Sequence, residues 1–572
     1  YKIIAKVLAM RLKLIASELI NSDQTASIPG RYIGENIVKI LNIIEHSEQE
    51  QLPALIVAVD YEKAFDSVEW VFIDRVLQIF NFGDSYRNWV KILYHDISSC
   101  VYNNGWSSDF FKLTRGVRQG CPLSPVLFVL CAEVLAISVR ENNDIKGILI
   151  DGIEHKISQF ADDATFFIKY CDITLHALIH TLDAFEAFSG LKVNYDKTEI
   201  LRIGSLKNSI AKIYTRKPLK WTGQPLTILG IKFTLDGNMT NINFEPLIQK
   251  INVLTKLWQM RDLTWMGKIT IIKTLLLSQL AYRFSVLPSP DNDTLKTIDT
   301  IFMNFLWNNG KHFIAKHVIC SSLENGGLGM INIQKKLIAI KCNWVKLLTN
   351  NQDSKWKSIV GKIIPGFGHS FWEGNFNISD ASNLLAKKSQ FWKDVATAWS
   401  LYNFTIPDSL NDVLCQPIFF NSHIKVNNKP IYYDSWYRNG ISRIEHLLDA
   451  EGNFLSMNNL IPQNVIDNQS IMMYNSLLSA IPQRWKILIR DNVQDLGNRE
   501  TTISKFAKIQ SCLKPSKFIY TQILQQNAED TFGKLARKWQ SDVNAQVSVE
   551  ALKKSFVSIV TTTIVPKLRV FQ

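Results

Sequence analysis

QFADDATFF (residues 159–167) places two adjacent aspartates, Asp162 and Asp163, inside an apolar, β-prone run. Asn-Gly would serve better if the chain needed only a tight turn there. Two like charges side by side each raise the cost of ionising the other. A solvated hairpin tip is one reading of the pair. A metal site is the other, because a divalent cation turns the repulsion into attraction. HKISQF before the pair and ATFFIKY after it read as the two arms of a β-hairpin. Upstream, ALIVAVD (residues 54–60) is a continuous apolar run ending in an acid, the pattern of a buried strand that delivers a carboxylate. Asp60 at that strand end, facing the two acids of a neighbouring hairpin, would supply oxygen ligands for paired divalent ions about 3.5–4 Å apart. Hard Mg²⁺ favours such a half-cage of carboxylates completed by substrate phosphates.

The elements around these acids follow from local signals. DSVE after the strand predicts a helix opened by Asp66 as N-cap, with Glu69 as its capping-box partner. Leu175, Leu178, Ile179, Leu182 and Phe185 keep a 3.6-residue period that closes at Gly190, a C-cap. Residues 1–20 have the same helical spacing, with Lys2, Lys6, Arg11 and Lys13 on the other face. LSPVLFVLCAEVLAISV (residues 123–139) is short for a membrane span and contains Glu133, so it reads as a buried core helix. From residue 243 the pattern is helical, punctuated by Pro288 and Pro290. WMGKIT there resembles the end of a phosphate-binding P-loop, but Asp262 stands where the first Gly belongs and Ile269 replaces Ser or Thr. That match is rejected. Beyond residue 311 the chain is helix-rich and Trp-rich, without a repeat or catalytic motif. The Lys, Arg and Trp residues of this region and of the helical stretch before it read either as a nucleic-acid surface or as a charged face over a Trp-rich core.

At 572 residues the chain exceeds a single core, so several domains are expected. A hydrophobic content of 46% with 20% charged residues excludes a disordered chain. The net charge of +13 favours a polyanionic partner, without separating nucleic acid from a membrane surface. The eight cysteines show no C-x-x-C pair and read as reduced intracellular thiols. The chain opens on Tyr1 without a signal peptide, so it reads as a non-secreted fragment of a longer polypeptide.

VAVDYEKAFDSVEW, TRGVRQGCPLSPVLF, QFADDATFF, SGLKVNYDKTEI and LTILGIKFT follow one another in this order. In these five segments the chain resembles the reverse transcriptases of non-LTR (LINE-type) retrotransposons, whose palm motifs run in the same sequence. QTASIPGRYIGENI upstream, and RDLTWMGKITIIKTLLLSQLAY, FLWNNG and ENGGLGMINI downstream, extend the resemblance over residues 1–335. The likeness is looser in YYDSWYRNGISRIEHLLDAEGNFLS. It implies an α+β right-hand polymerase: partial fingers over 1–53, then a palm with an antiparallel sheet over 54–235, which includes a fingers insertion at 80–115. A helical thumb over 236–310 and a mainly helical C-terminal extension of unknown role over 311–572 complete it. The implied activity is RNA-directed DNA synthesis with two Mg²⁺ ions, which Mn²⁺ can replace. The implied partners are an RNA template, a DNA primer and dNTPs, with the retrotransposon's own RNA among the templates. The setting would be a ribonucleoprotein of nucleus and cytoplasm, away from membranes.

Carried over residue by residue, Asp60 and Asp162 resemble the metal-binding carboxylates, Asp163 the third acid, and the main-chain carbonyl of Tyr61 a further metal ligand. Phe65 is similar to the aromatic steric gate that leaves no room for a 2′-OH; an ordinary core Phe is the alternative. Gly116 and Gly120 let the backbone approach a base pair, Gln119 resembles the residue beside template and incoming nucleotide, and Pro122 and Pro125 mark a helix start. Lys197 resembles the lysine that donates a proton to departing pyrophosphate, with a solvated loop lysine as the alternative. Arg31 resembles a fingers arginine gripping the triphosphate, with Arg11 a second candidate. Leu229–Gly230 resembles the tight turn of the primer grip, which holds the primer end for in-line attack. Such proteins usually carry an amino-terminal endonuclease; this sequence contains none, so DNA nicking is not expected of it. Two rival functions remain: a non-catalytic nucleic-acid-binding remnant, and an RNA-dependent RNA polymerase, where a polar or acidic residue would replace Phe65.

Overall fold

A computed structural model describes residues 1–562 except 223–224, 353, 365–368, 386–387, 461–467, 493, 495–502, 527–530, 544–545 and 547. The chain divides into two units, residues 1–239 with 352–362, and residues 240–351 with 363–572. The regions expected as fingers and palm lie in the first. Those expected as thumb and extension lie in the second, apart from 236–239 and 352–362.

In the first unit, α1 (Lys2–Leu19) buries Ala5, Leu8, Ala9, Leu12 and Ala16 on one face, as its spacing predicts. Then come α2 (Ile33–Gln49), β1 (Ala54–Val59), α3 (Ala64–Ser67), α4 (Trp70–Ile79) and α5 (Asp84–Tyr94). Four short strands, β2 (Ser98–Ser99), β3 (Tyr102–Asn103), β4 (Trp106–Ser107) and β5 (Phe111–Lys112), pair as two ribbons, β2 with β5 and β3 with β4. The apolar run forms α6 (Ser124–Glu141), with Pro125 in its first turn. Hairpin β6 (Ile148–Ile150) and β7 (Ile153–His155) precedes β8 (Ile157–Phe160) and β9 (Asp163–Lys169). Helix α7 (Asp172–Ser189) ends at Gly190, whose φ of 76 is the left-handed cap the sequence signals. Strands β10 (Glu199–Ile203), β11 (Lys220–Trp221), β12 (Leu226–Ile228) and β13 (Ile231–Phe233) close the unit's first segment.

The main sheet has the order β11-β10-β1-β9-β8. It is antiparallel except at its edge, where β10 and β11 run parallel. Central β1 explains its unbroken apolar sequence, because both of its faces are covered. Leu55, Val57 and Val59 share a core with Phe166, Ile168 and the α6 residues Val126 to Leu130. Ile56 and its β9 partner Phe167 alternate to the other face and are equally buried.

The helix expected to open at Asp66 forms differently. Val68 is extended (φ −61, ψ 123), so the segment splits into α3 and α4. Asp66 lies inside α3, whose N-cap is Lys63, and Glu69 precedes α4 without a side-chain capping bond. Tertiary contact overrides the local capping signal. Gly116 N–H donates to Val68 O (2.8 Å), Trp70 Nε1 donates to Gly116 O (2.8 Å) and Val117 N–H donates to Phe65 O (2.7 Å). A Cβ on Gly116, at φ 90, would lie 2.8 Å from Asp66 O. The glycine is therefore required by contact with the chain itself.

The second unit is helical, beginning with α8 (Met239–Gln259). Trp344, Trp372, Trp392 and Trp399 are fully buried there, so these rings are core and not platforms for bases. WMGKIT opens α9 (Trp265–Ile271), where Thr264 Oγ1 accepts the Gly267 N–H (3.1 Å). Lys268 is buried and donates to Leu306 O and Asn308 Oδ1, so the segment is an ordinary capped helix start. No described helix is long and apolar enough to cross a membrane.

Candidate active site

Register brings the acids to one end of the sheet. Val59, the last residue of β1, lies opposite Ala164 of β9, so Asp60 leaves its strand beside Asp163. Asp163 in turn pairs with Phe160 across a two-residue turn made by Ala161 and Asp162. Adjacent strands sit about 4.8 Å apart, so the acids at these neighbouring strand ends lie near one another. Their charges act on one another. The Asp163 carboxyl is pushed up to about 6 by partial withdrawal from water, then by the negative charges of Asp162 and Asp60. Burial, and then Asp162, also push up the Tyr61 hydroxyl, which has no hydrogen-bond partner among the described residues.

The chain beyond Asp60 is pinned by residues 192–194. Asn194 N–H donates to Asp60 O (2.8 Å) and Glu62 N–H donates to Lys192 O (2.9 Å); the Tyr61 carbonyl takes part in neither bond. The same loop sets Lys197, whose N–H donates to Asn194 Oδ1 (3.2 Å) and whose Nζ lies 3.7 Å from Asp60 Oδ2. Both side chains are open to solvent. Phe65, half-buried, stacks on Phe128 of α6 with centroids 4.5 Å apart and planes 14° apart. Exposed Gln119 lines a cavity of about 680 Å³ with Asp66, Ser98, Phe111, Arg115 and Arg118. Gly120, at φ 79, has nothing within 4 Å where a Cβ would be, so an approaching group can reach its backbone.

One expected participant is engaged elsewhere. The Arg31 guanidinium donates to four main-chain carbonyls, those of Asn21 (2.6 Å), Gln24 (2.7 Å), Ile20 (2.7 Å) and Ser17 (3.3 Å), and so ties down the α1–α2 connection. Arg11 is exposed on α1. Leu229 (φ 49) and Gly230 (φ 74) form the two-residue turn between β12 and β13, where Ile228 lies opposite Ile231. Positive φ at both positions is what a tight hairpin turn of this kind demands.

One residue of the site escapes sequence reasoning. Ala161 has a φ of 54, a conformation that costs a non-glycine residue about 1–2 kcal/mol. Buried Gln24 bonds to it at both ends, with Oε1 accepting Ala161 N–H (3.0 Å) and Nε2 donating to Ala161 O (3.3 Å). Gln24 lies in the quoted QTASIPG segment, but a polar loop residue gives no local sign of a distant partner.

The donor set is all oxygen, carboxylates with a main-chain carbonyl to hand, which suits a hard cation. Among the described residues no three acidic, His or Cys side chains form a metal cage by themselves. Mg²⁺ needs no such cage, since it keeps waters and substrate phosphates as ligands. The raised Asp163 carboxyl is the sign of charge that a cation would offset.

Residues 1–233 match the family described as reverse transcriptase (RNA-dependent DNA polymerase). This segment is a reverse transcriptase domain. The chain is 25% identical over 511 residues to the transposon TX1 uncharacterized 149 kDa protein of Xenopus laevis, covering 86% of this chain and 38% of that protein. It is also 25% identical over 349 residues to the retrovirus-related Pol polyprotein from type-2 retrotransposable element R2DM of Drosophila melanogaster, covering 58% of this chain and 32% of that one. Both relatives are proteins of transposable elements, as the order of the segments implies, and the chain spans less than two fifths of their length. A telomerase structure from Candida tropicalis, in complex with a telomeric RNA fragment, aligns over 62% of this chain and 55% of that one at 15% identity. Its TM-score is 0.34.

Proposed function

We propose that this chain is an RNA-directed DNA polymerase, which joins a dNTP to a primer 3′-OH on an RNA template. Its natural template would be the RNA of its own retrotransposon, copied in a ribonucleoprotein of nucleus and cytoplasm. One observation carries the reading. Asp60, Asp162 and Asp163 meet at one end of the sheet, and among the described residues their one ion pair is the Lys197–Asp60 contact at 3.7 Å. Asp60, Asp162 and the Tyr61 carbonyl would hold two Mg²⁺ ions, or Mn²⁺ in their place, with Asp163 adding charge. Bound there, such ions acidify the primer hydroxyl and neutralise the leaving pyrophosphate.

The chain's own groups do the positioning. Phe65, fixed by its stack on Phe128, lies under the sugar and excludes a 2′-OH. Gln119 and Gly120 face the nascent pair. Lys197, beside Asp60, steadies the triphosphate and delivers a proton to pyrophosphate. The Leu229–Gly230 turn steadies the primer end. With Arg31 bound to main-chain carbonyls, Lys197 is the better candidate for the triphosphate contact.

Single-nucleotide incorporation on an RNA template with a DNA primer and Mg²⁺ tests this reading. Incorporation of dNTP over rNTP is the expected result. Binding of template without incorporation would mark a non-catalytic remnant, and preference for rNTP would mark an RNA polymerase. Phe65→Val should raise rNTP use roughly 10- to 100-fold, the usual reach of a change in pocket shape.

A further inference from the structure

A glycine could occupy position 161 without strain. This chain has an alanine there and holds it from outside. The Gln24 carboxamide meets both polar groups of Ala161, and its Oε1 also accepts Ala26 N–H (2.9 Å), which fixes the orientation of the amide. Residues 23–25 run beside β8 as an added strand: Gln159 N–H donates to Asp23 O (2.8 Å) and Thr25 N–H donates to Gln159 O (3.1 Å). Asn36 of α2 secures the same edge, donating to Ser158 Oγ (2.9 Å) and Gln159 O (2.8 Å).

This added strand is itself anchored by a buried cluster of charge. Asp23 is met by Lys39 Nζ at 2.8 Å, Lys355 Nζ at 2.9 Å and Arg140 Nη1 at 3.4 Å. Lys39 donates as well to Ile157 O of β8 (2.8 Å). Lys355 comes from 352–362, which follows residues 240–351 in sequence yet belongs to the first unit. Its N–H reaches Ser22 Oγ (3.4 Å), and next to it Trp356 Nε1 donates to the buried Glu35 Oε2 (3.0 Å). A path of direct bonds thus runs from Lys355 through Asp23 and Gln24 to the residue preceding Asp162.

We propose that Gln24 is a positioning residue of the polymerase site, holding the turn that presents Asp162 and Asp163, and that residues 352–362 anchor this hold through the Lys355–Asp23 ion pair. The inference rests on the polymerase reading, and it assigns part of the C-terminal half to the catalytic unit. Two measurements on the full chain test it: hydrogen–deuterium exchange of the peptide 157–167, and dNTP incorporation as a function of Mg²⁺ concentration. Gln24→Met keeps the side-chain length and removes both bonds to Ala161. It should speed exchange in this peptide, lower kcat at least about tenfold with KM for dNTP nearly unchanged, and raise the Mg²⁺ needed for half-maximal rate. Adding Ala161→Gly should recover most of that kcat, because glycine adopts the turn conformation unaided. Lys355→Met should cause the same changes at smaller amplitude, with Asp23 still paired to Lys39, and Lys355→Arg should restore the parent values. Unchanged exchange and Mg²⁺ dependence in both Met variants would overturn the proposal. So would a loss in Gln24→Met that Ala161→Gly does not recover. A parent protein that incorporates nothing would reject the polymerase reading instead, while the exchange data would still decide whether Gln24 and Lys355 hold the turn.

Discussion

The first unit holds two groups of acids and treats them in opposite ways. Asp23 is buried, which alone would raise its pKa, yet the ammonium groups of Lys39 and Lys355 hold it well below the ordinary carboxylate range. Asp163, only partly withdrawn from water, has Asp162 and Asp60 for neighbours and rises to about 6. The same fold neutralises one acid thoroughly and leaves three others with a single lysine at 3.7 Å. Compensated charge here builds structure. On the proposed reading, uncompensated charge marks the place where cations from outside belong.

Removing a charge from each group is the harshest way to break this contrast. Asp162→Asn should lower RNA-templated primer extension by at least about 10³-fold in single-turnover assays, because several kcal/mol of charge stabilisation go with the metal ligand. Template binding, followed by fluorescence anisotropy, should hardly change. Asp23→Asn should act on folding instead. It leaves Lys39 and Lys355 without their buried counter-charge, and urea unfolding should show a loss of about 3–5 kcal/mol.

Two milder changes sharpen the contrast. Lys197→Ala should slow incorporation roughly 10²-fold, the lower range for a proton donor, in single-turnover assays. The smallest effect is expected of Asp163→Asn, read by thermal melting in metal-free buffer. The folded-state pKa of Asp163, about 6, lies above the ordinary value of about 3.9. Its protonated form is therefore favoured on folding, and stability is lost as pH rises through 6. Parent and variant should melt together below pH 4, and the variant slightly higher above pH 6. Added Mg²⁺ should reverse that order. Asp23 has the opposite sign: its contribution holds throughout this range and is lost only well below pH 4.

What could be read in advance depended on how local its cause was. The unbroken apolar run 54–59 signals a strand covered on both faces, and the two arms around Asp162 signal a hairpin, so the meeting of the acids follows from alternation and register. Gly190 and Gly230 announce left-handed positions because glycine takes them at no cost. Asp66 misleads because its capping signal is outweighed by main-chain bonds between 65–70 and 116–117. Gln24 and Ala161 lie 137 positions apart, and neither residue type advertises the other. Residues 352–362 resemble the amphipathic helices around them, so nothing in their composition reveals that they join a different unit.

That membership sets an order of events during synthesis. On the ribosome, residues 1–239 emerge first, with Lys39 and Arg140 already available to Asp23. Residues 240–351 must then be translated before Lys355 and Trp356 exist to seal Asp23 and Glu35 from water. Completion of this charge cluster therefore waits on the downstream half of the message, and a product cut short before residue 352 would contain Asp60, Asp162 and Asp163 but not the Lys355–Asp23 pair.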